Sequence, residues 1–159
     1  MYSKSLKYHC LSIYNHSVRV AQMAEELARK YNGEPEAAYQ AGLLHDISGI
    51  IPNHQRIEFA RSIGIPILPE ECLFPMIIHQ KLSKYIADEV FMVTNPNVLS
   101  AIECHTTLKS RASLLDYLLF VADKIEWDQK GVPPYINSVF TSFDQSLEKA
   151  AFAYIHYLM

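Results

Sequence analysis

Six residues in this 159-residue chain have side chains that bind metal and are spaced to act together: His16, the adjacent pair His45-Asp46, His79, His105 and Asp123. Four of them are histidines on apolar helical stripes. His16 leads Val20, Met23 and Leu27, and His45 follows Ala38 and Ala41. His79 leads Leu82, Ile86 and Val90, and His105 follows Val98, Ala101 and Ile102. All these steps are three, four or their sums, so each ring is expected on the buried side of a 3.6-residue turn. A buried imidazole needs partners for two ring nitrogens, and either a metal or a backbone carbonyl can supply one. For one histidine alone the carbonyl is the commoner answer, whereas four in the same setting favour a metal.

Asp123 follows Leu119 by four in an apolar run, and a carboxylate buried there must be paired or metal-bound. Asp116 in the same run is its rival, but Ser113-Leu114-Leu115-Asp116 reads as an amino-terminal helix cap. Neighbouring helical residues diverge by roughly 100°, so His45 and Asp46 can share a site only at a helix end. His9, His54 and His156 lie in polar or terminal contexts and are expected outside the site.

The order of these six residues resembles the HD-domain metal-dependent phosphohydrolases. The segments Ala41-Gly42-Leu43-Leu44-His45-Asp46-Ile47, Ala101-Ile102-Glu103-Cys104-His105-Thr106-Thr107 and Leu118-Leu119-Phe120-Val121-Ala122-Asp123-Lys124-Ile125-Glu126 are similar to the bacterial YqeK family, symmetrical diadenosine tetraphosphate hydrolases. The resemblance covers nearly the whole chain. It implies a centre of two divalent ions, iron first and manganese or another transition metal next, and cleavage to two ADP by a metal-bound hydroxide. It also implies His16, His45, Asp46 and Asp123 around one ion and His79 and His105 on the other, with Asp46 bridging. Such ligands suit iron, manganese or zinc, and ions roughly 3.5–4 Å apart can clamp phosphate oxygens.

Asp46, His79 and Lys124 are the expected catalytic residues. Lys81, Thr106, Lys109, Arg111, Trp127 and Tyr135 are the candidate substrate contacts, with bases stacking on Trp127 or Tyr135. Two positions depart from the family: Gly49 stands where a lysine is usual, and Ile13 where an arginine is common. Both changes remove charge that would steady phosphoryl transfer. They keep two alternatives open, a hydrolase of another nucleotide or phosphate ester and a catalytically weak nucleotide sensor.

Positioning these groups calls for an all-α fold. With five glycines and few alternating runs, helices are expected near 4–11, 13–31, 35–46, 53–63, 77–91, 96–105, 113–127 and 143–157. Loops at 65–70 and 127–135 could shape a pocket. Half of the residues are hydrophobic, enough for a single HD domain over 1–159 with its metal-binding core at about 12–127. A net charge of −3 disfavours general nucleic-acid binding. Cys10, Cys72 and Cys104 leave one thiol unpaired in any scheme, and the first residues lack a signal-like apolar stretch, so a cytoplasmic setting with no membrane partner is expected. Ten tyrosines and the apolar run from Phe152 to Met159 suggest a homodimer surface.

Overall fold

The structure, a computed structural model, describes the backbone of residues 2–159 and the side chains from Cys10 onward, so the His9 side chain lies outside the described residues. The described residues form nine α-helices and no strand: α1 (Tyr2–Lys30), α2 (Pro35–Leu44), α3 (Asn53–Ser62), α4 (Pro69–Leu73), α5 (His79–Glu89), α6 (Pro96–Cys104), α7 (Leu114–Ile125), α8 (Ile136–Ser142) and α9 (Leu147–Leu158). A 3-10 turn, Ile47–Ile50, joins α2 to α3. The all-α expectation is met, with adjustments. The two expected amino-terminal helices are one continuous α1, because nothing between residues 11 and 13 breaks a helix. Helix α4 begins at the end of what reads as a proline-broken loop and runs past it, and α8 was not expected. Both are short, so their local signal is weak.

Helix α7 is the axis. Its buried Leu115, Leu118, Leu119, Val121 and Ala122 meet Val20, Ala24 and Leu27 of α1, Ala38 and Ala41 of α2, Val98 and Ile102 of α6, and Ala150 of α9 in one core. A smaller cluster of Ala60, Ile78 and Leu82 seats α3 against α5. Buried alanines, Ala21, Ala24 and Ala28 of α1 and Ala37, Ala38 and Ala41 of α2, let the two backbones approach. The closest point is Gly42, where an added Cβ would lie 2.4 Å from Ala21 Cα. This contact sets His45, one turn on, beside His16.

Caps then place the ends. Pro35 and Pro96 open α2 and α6 at the first turn, where the missing N–H costs nothing. Ser113 and Asp116 form a reciprocal capping box at the start of α7. Asp116 is therefore spent on the cap, on Ser100 (2.7 Å) and on Lys109 (3.0 Å), and is not part of the histidine cluster. Gly64 ends the α3 segment with φ of +75°. No helix among the described residues is long and apolar enough to cross a membrane.

Candidate metal centre

All six expected ligands converge. His45 sits at the carboxyl end of α2 and Asp46 directly after it, so the pair diverges from a helix end as its adjacency requires. His16 comes from the middle of α1, His79 from the first residue of α5, His105 from the end of α6 and Asp123 from the last turns of α7. The four imidazoles form a file: ring centroids are 5.2 Å apart for His16 and His45, 4.9 Å for His45 and His105, and 4.8 Å for His105 and His79. His45 and His105 are fully buried. Of the apolar stripes, only Val90 departs: α5 ends before it, and it faces solvent.

Helix ends orient the rings. His45 Nδ1 donates to the Gly42 carbonyl at 2.7 Å, His105 Nδ1 to that of Ile102 at 2.8 Å, and His79 Nδ1 to that of Met76 at 2.5 Å. Each carbonyl lies three residues back, and at the ends of α2 and α6 it is one the helix itself leaves without a partner. The same bond therefore caps the helix and commits the proton to Nδ1, which leaves Nε2 a bare lone pair turned into the site.

Those lone pairs meet in a way that neutral imidazoles do not favour. His79 Nε2 and His105 Nε2 lie 2.8 Å apart, although both rings have already used Nδ1 as donor. A cation or a shared proton must sit between them. His45 Nε2 is buried with no hydrogen-bond partner, 3.7 Å from Asp46 Oδ2 and 3.5 Å from Asp123 Oδ1. Asp46 is divided between two sides: Oδ2 faces His45, while Oδ1 faces His79 (3.2 Å) and His105 (3.5 Å). Asp123 Oδ1 also meets His16 Nε2 at 3.1 Å. The donor atoms thus form two overlapping sets that share His45: His16, His45 and Asp123, and His45, Asp46 and His105. Imidazole nitrogen and carboxylate oxygen are the donors a divalent transition metal takes, and the orphaned buried Nε2 lacks only such an ion, so the residues fit one.

The electrostatics agree. Burial opposes a charge on His45, but the Asp46 and Asp123 carboxylates outweigh it and push the group up to about 9. For His105, burial dominates, and with the neighbouring histidines it overrides the pull of Asp46 and depresses the group to about 4. Burial works against ionised Asp46 and Asp123, yet His45 on the one, and Lys124 and His16 on the other, hold both well below the usual carboxylate range.

Supporting bonds that the sequence does not advertise hold these groups in register. Ser48 donates from its hydroxyl to the His79 carbonyl (2.8 Å) and from its N–H to Ser83 Oγ (3.2 Å), and Ser83 donates back to Ser48 Oγ (2.9 Å). This closed set ties the Asp46 turn to the start of α5. Gln80 accepts from the Thr106 N–H and donates to Thr107 Oγ1, each at 3.1 Å, tying His79 to the segment after His105. Small polar residues carry no spacing signature, although a serine beside the His-Asp pair is a usable hint.

Two cavities open onto the cluster. One, of about 220 Å³, is lined by all of the expected ligands except His45, together with Thr106, Lys124, Trp127 and Tyr135. Lys124 pairs with Asp123 at 2.5 Å and lies over the Phe120 and Tyr154 rings, while Tyr135 donates to its carbonyl. The second, of about 390 Å³, is lined by Ile13, Gly49, Asn53, Arg56 and Met76 beside His16, Asp46 and His79. Lys81, Lys109 and Arg111 line neither. Lys81 is held by Glu71 (2.9 Å) and the Pro66 carbonyl, Lys109 by Asp116 and Ser100, and Arg111 is exposed on a loop with φ of +59°. The 65–70 loop packs with Lys81 around separate cavities, so of the two expected pocket loops only 127–135 reaches the cluster. His54 and His156 are exposed, as expected.

Comparison with known proteins gives the arrangement its context. The chain is 52% identical over 122 residues to an uncharacterized protein in the pepC 5' region of Lactococcus lactis subsp. cremoris, covering 77% of this chain and 63% of that protein. It is 31% identical over 115 residues to a symmetrical bis(5'-nucleosyl)-tetraphosphatase of Staphylococcus aureus, covering 71% and 58%. To a probable nicotinate-nucleotide adenylyltransferase/Ap4A hydrolase of Mycoplasma pneumoniae it is 32% identical over 111 residues, covering 70% and 31%. The aligned part is thus less than two thirds of each of these relatives. Among solved structures, a predicted HD superfamily hydrolase involved in NAD metabolism from Clostridium acetobutylicum superposes with a TM-score of 0.79 at 30% identity, covering 94% of this chain and 80% of that one. The HD domain family matches residues 13–128, a span that holds all six convergent residues, and the chain belongs to that family.

Proposed function

We propose that this protein is a metal-dependent phosphohydrolase that cleaves diadenosine tetraphosphate symmetrically to two ADP, with His16, His45, Asp46, His79, His105 and Asp123 holding two divalent ions, iron in preference to manganese. The observation that carries the reading is the lone-pair confrontation at His79 and His105, together with the division of Asp46 between His45 on one side and His79 and His105 on the other. Bound there, divalent metal supplies Lewis acidity: a more acidic water and a counterweight to the charge on phosphate oxygens.

The chain's own residues do the rest. The three Nδ1-to-carbonyl bonds hold the rings against reorientation, so the donor set is organised before substrate arrives. Asp46 keeps one carboxylate oxygen toward His45 and the other toward His79 and His105. Lys124, buried against Phe120 and Tyr154, holds its ammonium at the cavity edge beside Asp123, where it would offset charge on a phosphate. Thr106 offers a hydroxyl 3.2 Å from His79 Nε2. Trp127 and Tyr135, edge to face at 5.9 Å, give the same cavity an aromatic wall against which a nucleobase could rest.

A second reading keeps the site and changes the substrate to another nucleotide or phosphate ester. The uncharged Ile13 and Gly49 favour it, since a weaker hold on a long polyphosphate would follow. One experiment separates the two. Protein purified without oxygen and reconstituted with ferrous iron or manganese is incubated with diadenosine tetraphosphate, and the products are resolved by chromatography. ADP as sole product is expected. AMP with ATP would mean asymmetric cleavage, and no turnover by protein carrying two metals would leave another substrate or a nucleotide sensor.

A further inference from the structure

We propose that Arg56 is the anion-recognition residue of a second substrate lobe, taking the phosphates of the half that does not occupy the aromatic lobe; this rests on the phosphohydrolase reading above. The two cavities flank the ligand cluster and share His16, Asp46, His79 and Asp128. A substrate cut into two equal halves needs room on both sides of the broken bond and a neutralising charge on each. The aromatic side has Lys124. On the other side, Arg56 is the only lysine or arginine among the described residues of the lining.

Its bonding leaves it available. Arg56 is half-buried on α3, and its Nε donates to the Ile51 carbonyl at 3.1 Å. Among the described residues that is its one hydrogen bond, and no carboxylate lies within ion-pair distance of it. Lys81, Lys84, Lys109 and Lys124 are each paired with an acid. A guanidinium carries five N–H donors in a planar fork that matches phosphate, and the two outer nitrogens of Arg56 are unspent. Keeping such a group half-desolvated without a partner costs free energy that an incoming anion recovers.

The anchor also sets its register. Ile51 N–H bonds to the Ser48 carbonyl and Gly49 N–H to that of Asp46, so one turn carries both Asp46 and the acceptor that holds Arg56. A side chain at position 49 would have to displace the end of Ile13, since a Cβ there would lie 2.7 Å from Ile13 Cδ1. The charge missing at positions 13 and 49 is thus supplied to the same cavity from α3.

The test titrates manganese-loaded wild type, Arg56→Gln and Arg56→Lys with pyrophosphate by calorimetry, with metal content measured for each and diadenosine tetraphosphate turnover assayed separately. Losing a charged hydrogen-bonding group should weaken pyrophosphate binding by about tenfold to a hundredfold in R56Q at unchanged metal content. R56K, which keeps the charge and loses the fork, should lie between the two and carries the test if R56Q does not fold. Wild-type affinity in R56Q, loss of metal from it, or absence of pyrophosphate binding by wild type would each overturn the assignment. Weakened pyrophosphate binding in R56Q alongside a wild type inert toward diadenosine tetraphosphate would remove the substrate reading and leave the anion lobe standing.

Discussion

Three imidazoles of the cluster, those of His45, His79 and His105, have one nitrogen committed to a carbonyl before any ion arrives, and that commitment explains why substitution here should be severe. His45 Nε2 is buried and unpartnered, so a neighbouring carboxylate and a metal are all it has to meet. Replacing His45 or Asp46 by alanine should reduce metal content from stoichiometric to background, measured by elemental analysis after dialysis. Full loading of both variants would sink the ligand assignment. Asp116 supplies a contrast, because it is fully buried yet lies outside the cluster. Burial opposes its ionisation, but the Ser113 N–H, the Ser100 hydroxyl and Lys109 hold it below the ordinary carboxylate range. A depressed acid contributes stability that is complete above its unfolded value and fades as pH falls through the folded one. Asp116→Asn should therefore cost about 1–3 kcal/mol at pH 7. Urea midpoints of variant and wild type should draw together below about pH 4, where carboxylates titrate in the unfolded chain.

At the scale of elements, the site exists because helix ends meet. Helices α2 and α6 each finish on a histidine whose ring satisfies a last-turn carbonyl, so capping and ligand orientation are one interaction. The approach of α1 to α2 at Gly42 and Ala21 decides whether His16 reaches His45. Gly42→Ala would drive a methyl into backbone, and overpacking of this kind costs about 1–3 kcal/mol. The expected result is a lowered thermal midpoint together with weakened metal binding, whereas a surface helix would gain from the same change. The Ser48 and Ser83 hydroxyls link the Asp46 turn to α5 without touching a ligand ring. Removing outer partners of metal ligands typically costs tenfold to a hundredfold in affinity, so Ser48→Ala should lose about tenfold in metal affinity while its far-ultraviolet circular dichroism stays that of wild type.

For the whole molecule, a metal held by these six residues, which come from five parts of the chain, would be a tertiary cross-link. An ion that binds the folded chain alone stabilises it by about 2.7 kcal/mol at a hundred times its dissociation constant. Manganese or ferrous iron should therefore raise the midpoint of thermal unfolding, chelator should reverse the rise, and His45→Ala should abolish the response. An unchanged midpoint in protein shown to have bound metal would mean that the ion sits outside the helical core.

The six residues that converge as candidate ligands, the all-α class and the cap at Ser113 were legible in the linear sequence, since helical stripes repeat every 3.6 residues and metal-binding side chains are chemically distinctive on an apolar face. The adjacency of His45 and Asp46 even implied that α2 must end there. What no spacing could reveal was which charges face the site. Lys81 and Lys109 read as phosphate contacts but are consumed by Glu71 and Asp116, acids brought to them by the fold, while Arg56, with no motif around it, is left facing the ligands. A charged side chain is long and solvated, so its partner is decided by whatever tertiary packing sets within reach. A buried imidazole has no such freedom, and for that reason the ligands could be read from the sequence and the cations only from the fold.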